Sequence, residues 1–452
     1  MVADLLLTDG AMPRELRPSR VCVVAPGRLL VMTAPLRPRL RPVEIFPIGP
    51  KEESLFAIHD SDGYGDTLIV PNEAALLASL MDGNHTLPEL RATLKAHLDV
   101  SVSLTSIKRL VTQLDEAHLL EGRSFDQHCF DRDQRYMDNP VRPAAHAGGA
   151  YAGEPDELRA QLAALFTCEK GPGPVDPKVQ PDGQALCAVV SPHIDLHRGG
   201  PTFAWAYKQI VEQSKADLFV IFGTAHNPMD QLFCVTRKDF DTPLGIVPTH
   251  RPFIDRLVDR LASTAAGSQL DLFEDELAHR QEHSIEFQAM FLQYILGRKR
   301  PFRIVPVLVG SFHRFVTDGS QPEESPEVRA FVEAMRAVAQ EHPGRVCFIS
   351  GADLAHIGQR FGDPWLLDRK RLARQSADDH QLLEAACRGD GAAFFAHVAD
   401  RGDRSRICGL SPTYVMLRVA TPVRGKLLQY DQAVEPDRTS CVSFVSLAFY
   451  RK

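Results

Sequence analysis

The sequence lacks most features that would place it at a glance. No apolar run approaches the roughly 18 residues needed to span a bilayer. The first residues do not form a secretory signal, because Asp4, Asp9, Arg14 and Arg17 interrupt their short apolar stretches. The nine cysteines show no C-x-x-C and no paired spacing, which excludes a zinc ribbon and argues against a disulfide framework. A reducing cytoplasm is the simplest home, with no membrane partner. Positive charge is also short: 51 Lys+Arg face 58 Asp+Glu, a formal net charge of −7. Neutralising phosphates takes a basic footprint, so a general nucleic-acid partner is not expected. There is no internal repeat, no P-loop, no G-x-G-x-x-G and no Ser/His/Asp hydrolase motif.

What is present suits a packed, multi-unit chain. The 452 residues are 44% hydrophobic, too many for one ordinary core and enough for two or three units. Residues 1–43 are Arg/Pro-rich, as in Leu36-Arg37-Pro38-Arg39-Leu40-Arg41-Pro42. They read as a poorly ordered tail, or in part as a matter of start-codon choice among Met1, Met12 and Met32. A basic arm touching an acidic partner is the weaker reading. Residues 44–122 read as a small unit of their own, 123–140 as a polar linker, and 141–452 as an α/β domain. Within that domain residues 169–183, rich in Pro, Gly, Asp and Lys, read as an exposed loop.

In the small unit, strand-like segments over 55–70 flank the turn signal Ser61-Asp62-Gly63. Three helical patterns follow. Asn72 is placed to cap the first, which presents Ala75, Leu76 and Leu80. Thr86-x-x-Glu89 has capping-box spacing for the second, with Leu87, Leu90, Leu94 and Leu98 on one face. Ser103 begins the third, with Leu104, Ile107, Leu110, Val111 and Leu114 inward. The run Asp82-Gly83 with Thr86-Leu87-Pro88-Glu89-Leu90 resembles PqqD-like winged-helix modules, which bind leader peptides in peptide-modification systems. A winged helix could instead read DNA with its third helix. Residues 72–122 hold four Lys/Arg against seven Asp/Glu, a sign that disfavours DNA. A structural or docking appendage is the first reading, peptide binding the second and DNA the third.

In the larger domain, apolar runs at 185–190, 218–222, 303–309 and 345–350 suit strands buried on both faces. Helical patterns cover 203–214, 252–262, 284–296, 327–340, 373–388 and 391–401. Such alternation predicts a mainly parallel sheet flanked by helices. Polar residues gather where strands should end. Val189-Val190-Ser191-Pro192-His193 puts His193 just past one strand. Val220-Ile221-Phe222-Gly223-Thr224-Ala225-His226 does the same for His226, and Phe348-Ile349-Ser350-Gly351-Ala352-Asp353-Leu354-Ala355-His356 for Asp353 and His356. Ligands of open α/β sheets bind beyond the carboxyl ends of strands. A lone histidine is usually structural; three in equivalent places form a candidate constellation.

These segments, with Val141-Arg142-Pro143, Ala147-Gly148, Tyr151, Asp241-Thr242-Pro243-Leu244-Gly245, Glu282-His283-Ser284-Ile285-Glu286, Ile304-Val305-Pro306-Val307-Leu308-Val309-Gly310, Ile357-Gly358-Gln359-Arg360-Phe361 and Ile407-Cys408-Gly409, resemble the MEMO family in consistent order. That family includes the proteins called AmmeMemoRadiSam system protein B. The resemblance implies a fold like class III extradiol (LigB-type) dioxygenases. It implies an iron or copper ion held by His193, His226 and Cys408, with His356 as a neighbouring acid/base group. Asp353, three residues before His356, is close enough in sequence to support a local turn and fix that imidazole's tautomer through a hydrogen bond. It also implies a radical SAM protein and an AMMECR1-like protein as partners. Imidazole suits iron and copper, and a thiolate favours Cu(I) or thiolate-ligated Fe(II).

This chain departs from the family after the first histidine. Ile194-Asp195-Leu196-His197-Arg198-Gly199-Gly200 stands where Ala-Gly-Tyr is usual. His197 is either a fourth ligand or a surface residue. Asp195 could orient an imidazole, and Arg198 could receive an anionic group; solvated roles compete equally. Glu282-His283 opens a helix and could shuttle protons, with His283 the stronger candidate. The alternative for Glu282 is a helix-start carboxylate. His279 reads as surface. Cys408, just before a helical run at 413–419, should have its thiolate favoured by the dipole. Three classes stay open: a dioxygenase-like metal-dependent oxidoreductase, a non-catalytic metal-binding adaptor, and a metal-assisted hydrolase.

Overall fold

The computed structural model describes residues 36–49, 55–60, 63–98, 101–176, 185–297 and 299–451. Most of the expected tail (1–35), two residues of the Ser61-Asp62-Gly63 signal, the Leu98 side chain and the loop from residue 177 to 183 lie outside them. The chain divides into two compact units, Met1–Asp138 and Asn139–Lys452.

In unit 1, β1 (Glu44–Ile48), β2 (Leu55–His59) and β3 (Leu68–Pro71) form an antiparallel sheet in that order. Helices α1 (Asn72–Ser79), α2 (Leu87–Leu98), α3 (Leu104–Glu116) and α4 (Arg123–Asp138) follow. Ser103 accepts the Ser106 N–H at 3.0 Å and caps α3. Glu89 accepts the Thr86 N–H at 2.7 Å, one half of a capping box at α2. Asn72 begins α1 rather than capping it; Pro71 holds the cap position without a side-chain bond. Leu90, Leu94, Ile107, Val111 and Leu114 are buried with Ile58 and Val70, so the helical periodicity marks the core face.

Two boundaries move. Arg41 is buried against Asp60 at 2.8 Å, so the folded unit begins before residue 44. The stretch read as a linker is helix α4. Its Asp133 accepts the Tyr64 hydroxyl at 2.9 Å, and Arg132 donates to the Tyr64 carbonyl at 3.0 Å. A polar composition suits a helix that attaches through hydrogen bonds and keeps one face wet, and period alone does not separate that from a loop.

Unit 2 runs β4 (Val141–Arg142), α5 (Pro155–Thr167), β5 (Ala185–Ser191), α6 (Leu196–Gln213), β6 (Leu218–Thr224), β7 (Phe233–Val235), β8 (Asp239–Phe240), α7 (Arg251–Ala262) and α8 (His283–Leu296). It continues with β9 (Arg303–Val309), α9 (His313–Asp318), α10 (Pro326–Glu341), β10 (Val346–Gly351), β11 (Asp353–Ile357), α11 (Arg369–Cys387), α12 (Gly391–Ala399), α13 (Leu410–Ala420), β12 (Arg424–Val434) and β13 (Cys441–Arg451). The eight-stranded sheet has the order β11-β13-β5-β10-β6-β9-β7, with β12 also paired to β13. Its centre, β5-β10-β6-β9, is parallel; β7 and the β11/β12/β13 group attach antiparallel.

The central strands are buried on both faces, which is why they read as unbroken apolar runs. Val220 and Phe222 of β6 face one core, shared with α7, α10, α12 and α13; Phe219 and Ile221 face the other, shared with α5, α6 and α8. Each fully buried side chain of this kind contributes about 1.5–3 kcal/mol. Helix α6 begins at Leu196, seven residues before its expected start. Gly199-Gly200-Pro201 looks like a break in sequence, yet the glycines let α6 lie close to Ile194, Phe444 and Leu165.

Candidate metal centre

The parallel strands aim their carboxyl ends at one edge, and the site is built there. His193 follows β5 and is 2% exposed. His226 follows β6, and its side chain is 39% exposed. Cys408 comes from the loop before α13. Its Sγ lies 3.2 Å from His193 Nε2. One donor atom each from His193, His226 and Cys408 fall within 4.8 Å of one another.

Each imidazole is held from behind through Nδ1. His193 Nδ1 lies 2.9 Å from the Gly351 carbonyl oxygen. His226 Nδ1 lies 3.0 and 3.1 Å from the two Glu282 carboxylate oxygens. His356 Nδ1 lies 3.1 Å from the Leu354 carbonyl and 3.2 Å from the Arg406 carbonyl. A carbonyl can only accept, so Nδ1 carries the proton in the neutral ring and Nε2 keeps its lone pair. Ligating histidines are prepared in this way.

Helix α8 supplies the next ring of groups. Glu282 caps it, accepting the Ser284 N–H at 2.9 Å, and also takes the His226 backbone N–H at 2.9 Å. His283 stacks on His226 with ring centroids 4.7 Å apart and meets His193 edge-on at 5.2 Å. His226, Glu282 and His283 thus form a second donor group that overlaps the first. The N-terminus of α8 sits directly on the sheet, since a Cβ at Gly351 would run into the Ser284 carbonyl oxygen. A side chain at Gly409 would likewise strike the Asp353 carbonyl oxygen, which holds Cys408 against the strand. The Thr224 hydroxyl donates to the Cys408 carbonyl at 3.1 Å. Behind this, Arg142 is wholly buried and paired with Glu286 at 2.6 Å. It also donates to the carbonyls of Glu282 at 2.8 Å and His279 at 2.6 Å.

Electrostatics separate the groups. Burial pushes His193 down to about 3, reinforced by His226, so it is neutral at pH 7. Burial also drives His283 well below the usual histidine range and lowers His356. Burial opposes charge on His226 as well, but the Glu282 carboxylate outweighs it and raises that group. Burial pushes Asp353 up to about 6. The Cys408 thiol is driven well above its ordinary value by burial and by Asp353. The start of α13 therefore does not make it a thiolate unaided, contrary to the expectation from the dipole. A cation between Sγ and the two Nε2 atoms would reverse that balance.

The expected residues find their places as follows. His193, His226 and Cys408 converge, and His283 joins them. Asp353 and His356 lie in a strand of their own, β11, rather than in a segment that merely follows β10. Asp353 accepts the His193 backbone N–H at 3.0 Å, so it braces the first histidine, while the His356 tautomer is set by two carbonyls. His197 is exposed, and Arg198 pairs with Glu435 at 3.4 Å. His279 is buried at 1% exposure, a correction to its surface reading. Glu282, ranked below His283 from sequence, is the residue that grips His226; its place one residue before an apolar helix was the available signal. Gln288 and Arg406 were missed. Gln288 donates to the Pro192 carbonyl at 2.7 Å and so fixes the approach to His193.

The profile of a family described as Memo-like protein matches residues 142–448. The chain belongs to the Memo-like family. A MEMO1 family protein of Aquifex aeolicus is 25% identical over 420 residues, covering 92% of this chain and 100% of that protein. One from Methanopyrus kandleri is 29% identical over 318 residues, 69% of this chain and 99% of that protein. One from Methanococcoides burtonii is 34% identical over 235 residues, 52% of this chain and 74% of that protein. Unit 2 spans Asn139–Lys452, so the Aquifex match, at 420 residues, runs on into unit 1. The Methanopyrus match is close to the length of the Memo unit alone.

Proposed function

We propose that this Memo-family chain binds one iron or copper ion through His193 Nε2, His226 Nε2 and Cys408 Sγ, and uses it as a dioxygenase-like oxidoreductase. The observation that carries this reading is that one donor atom each from His193, His226 and Cys408 lie within 4.8 Å of one another, while Nδ1 of both imidazoles is paired with an acceptor, which leaves Nε2 its lone pair. Two imidazoles and one thiol form a donor set that both metals accept. Such an ion, when bound, would supply Lewis-acid and one-electron chemistry at these residues.

The chain's own groups then bind, orient and exchange protons. His226 and Glu282 fix one face of the pocket, and His193 with Asp353 fixes the other. His283, neutral and stacked on His226, lines the pocket as a hydrogen-bonding group for substrate. His356 presents Nε2 and serves as acid/base. A LigB-like relationship, a radical SAM protein and an AMMECR1-like protein as partners, and peptide docking on a PqqD-like unit 1 belong to the same reading. The extension of the Aquifex relative into unit 1 supports a shared role for that unit.

The test is elemental analysis of the full chain purified with and without air, followed by oxygen uptake on candidate substrates. About one iron or copper per chain, lost on replacing the trio by Ala, is expected. Full occupancy in that triple variant would refute the ligand assignment. Stoichiometric metal without oxygen uptake would favour the adaptor.

A further inference from the structure

His356 is held on three sides by the loop that delivers Cys408. Its backbone N–H donates to the Ser405 carbonyl at 2.7 Å. Its Nδ1 faces the Arg406 carbonyl at 3.2 Å. Its own carbonyl accepts from Arg406 Nη1 at 3.2 Å. Arg406 thus grips the same residue with main chain and side chain, two positions before the metal-type cysteine.

The grip has a cost and a support. Arg406 has φ +52°, in the left-handed region that non-glycine residues visit rarely. Such a residue persists when its surroundings over-determine it, and clusters of this kind mark working sites. Asp363 supplies the determination. Its carboxylate takes Arg406 Nη2 at 2.9 Å and Nη1 at 3.4 Å. The Oδ2 that takes Nη1 also accepts the Gly358 N–H at 2.7 Å, which ties Asp363 to the end of β11. Arg406 also donates to the Arg404 carbonyl at 3.3 Å, closing the loop on itself. The planar fork of arginine suits this multiple engagement, and lysine would not reproduce it.

We infer that Arg406, braced by Asp363, is a positioning residue that locks His356 as the Nδ1–H tautomer and couples its placement to Cys408. The carbonyl of Leu354 is local to β11 and moves with His356. The Arg406 carbonyl arrives from a separate segment, so it alone registers the imidazole against the cysteine loop. Loosening the clamp would free the ring to protonate at Nε2 and turn its lone pair away from the pocket. His193 and His226 hang on Gly351 and Glu282, outside the clamp, and would keep their tautomers.

This inference rests on the reading of His356 as the pocket's acid/base group, yet its test needs neither metal nor turnover. The experiment is long-range proton–nitrogen correlation on the full chain with nitrogen-labelled histidine, near pH 7.5, the His356 signal being identified by its loss in His356→Gln. The wild-type chain should show His356 as Nδ1–H. Arg406→Gly keeps the left-handed backbone and removes the guanidinium; Asp363→Asn keeps the guanidinium and removes its brace. Both should shift the main His356 population toward Nε2–H and leave the His193 and His226 signals in place, a pattern that general unfolding would not give. Should Arg406→Gly fail to fold, Asp363→Asn decides. An Nε2–H wild-type ring, or an unshifted His356 in the folded variants, overturns the inference. If the tautomer shifts as expected while His356→Ala leaves the loaded protein's oxygen uptake unchanged, the clamp stands and the acid/base reading falls.

Discussion

Glu282→Gln is the most discriminating single change at the centre. The carboxylate is 5% exposed and receives the His226 N–H, the Ser284 N–H and the His226 Nδ1–H at 2.9–3.1 Å. Gln preserves the shape but replaces one oxygen by NH2. That NH2 then faces either the His226 or the Ser284 N–H, donor against donor. Leaving a buried donor unmet costs about 1–3 kcal/mol of folding free energy. The second effect falls on the metal. Changing a partner behind a ligating histidine costs about 10–100-fold in affinity, or about 1.4–2.8 kcal/mol. The assay is competition of the full chain against a chromophoric chelator, with a melting curve on the same sample. Unchanged affinity would show that Glu282 does not act through His226. A loss as complete as that from Cys408→Ser would make Glu282 a ligand in its own right, within the His226–Glu282–His283 group.

Other expectations follow from the same physics. Glu286→Gln leaves Arg142 charged and wholly buried, at a cost of about 3–5 kcal/mol. In a unit of this size that lowers Tm by about 5–8 °C, and an unshifted melt would contradict the pairing. Burial alone would raise Glu286, but Arg142 holds it below its ordinary 4.5. Its stabilisation is therefore complete above about pH 4.5 and is lost as pH falls through the folded value, so the gap in Tm between wild type and Glu286→Gln should close in acid. A fragment of residues 36–138 should melt cooperatively and exceed 44–122 by about 3 kcal/mol, because the shorter piece removes Arg41 from buried Asp60. Equal stability would place Arg41 and α4 outside the folded unit. His356→Ala should retain the metal and impair only the response to substrate; metal loss would make His356 a ligand.

Much of this was legible because buried parallel strands announce themselves. The apolar runs at 185–190, 218–222 and 345–350, which form β5, β6 and β10, could be little else, and the histidines after them inherit a common edge. Element β11 was not legible: Asp353-Leu354-Ala355-His356 is short, and its pairing with β13 spans about ninety residues of chain. The polar stretch that became α4 is helical through its contacts with Tyr64, which composition does not encode. Glu282 combines a local capping role with a distant grip on His226, and only the first leaves a trace in the sequence. Arg406 carries no periodic signal, because its conformation is imposed by partners forty to fifty residues away.

The glycine after Cys408 makes a different kind of point. The sulfur's distance from His193 depends on a side chain that is not there. Even one added methyl group at residue 409 would meet the Asp353 carbonyl and lift the cysteine loop from the strand that gauges it. Gly409 donates no electron pair to an ion, yet it limits how far the loop can drift. In a survey of substitutions it should prove as intolerant as the ligands themselves, and for a reason that no inventory of donor atoms would include.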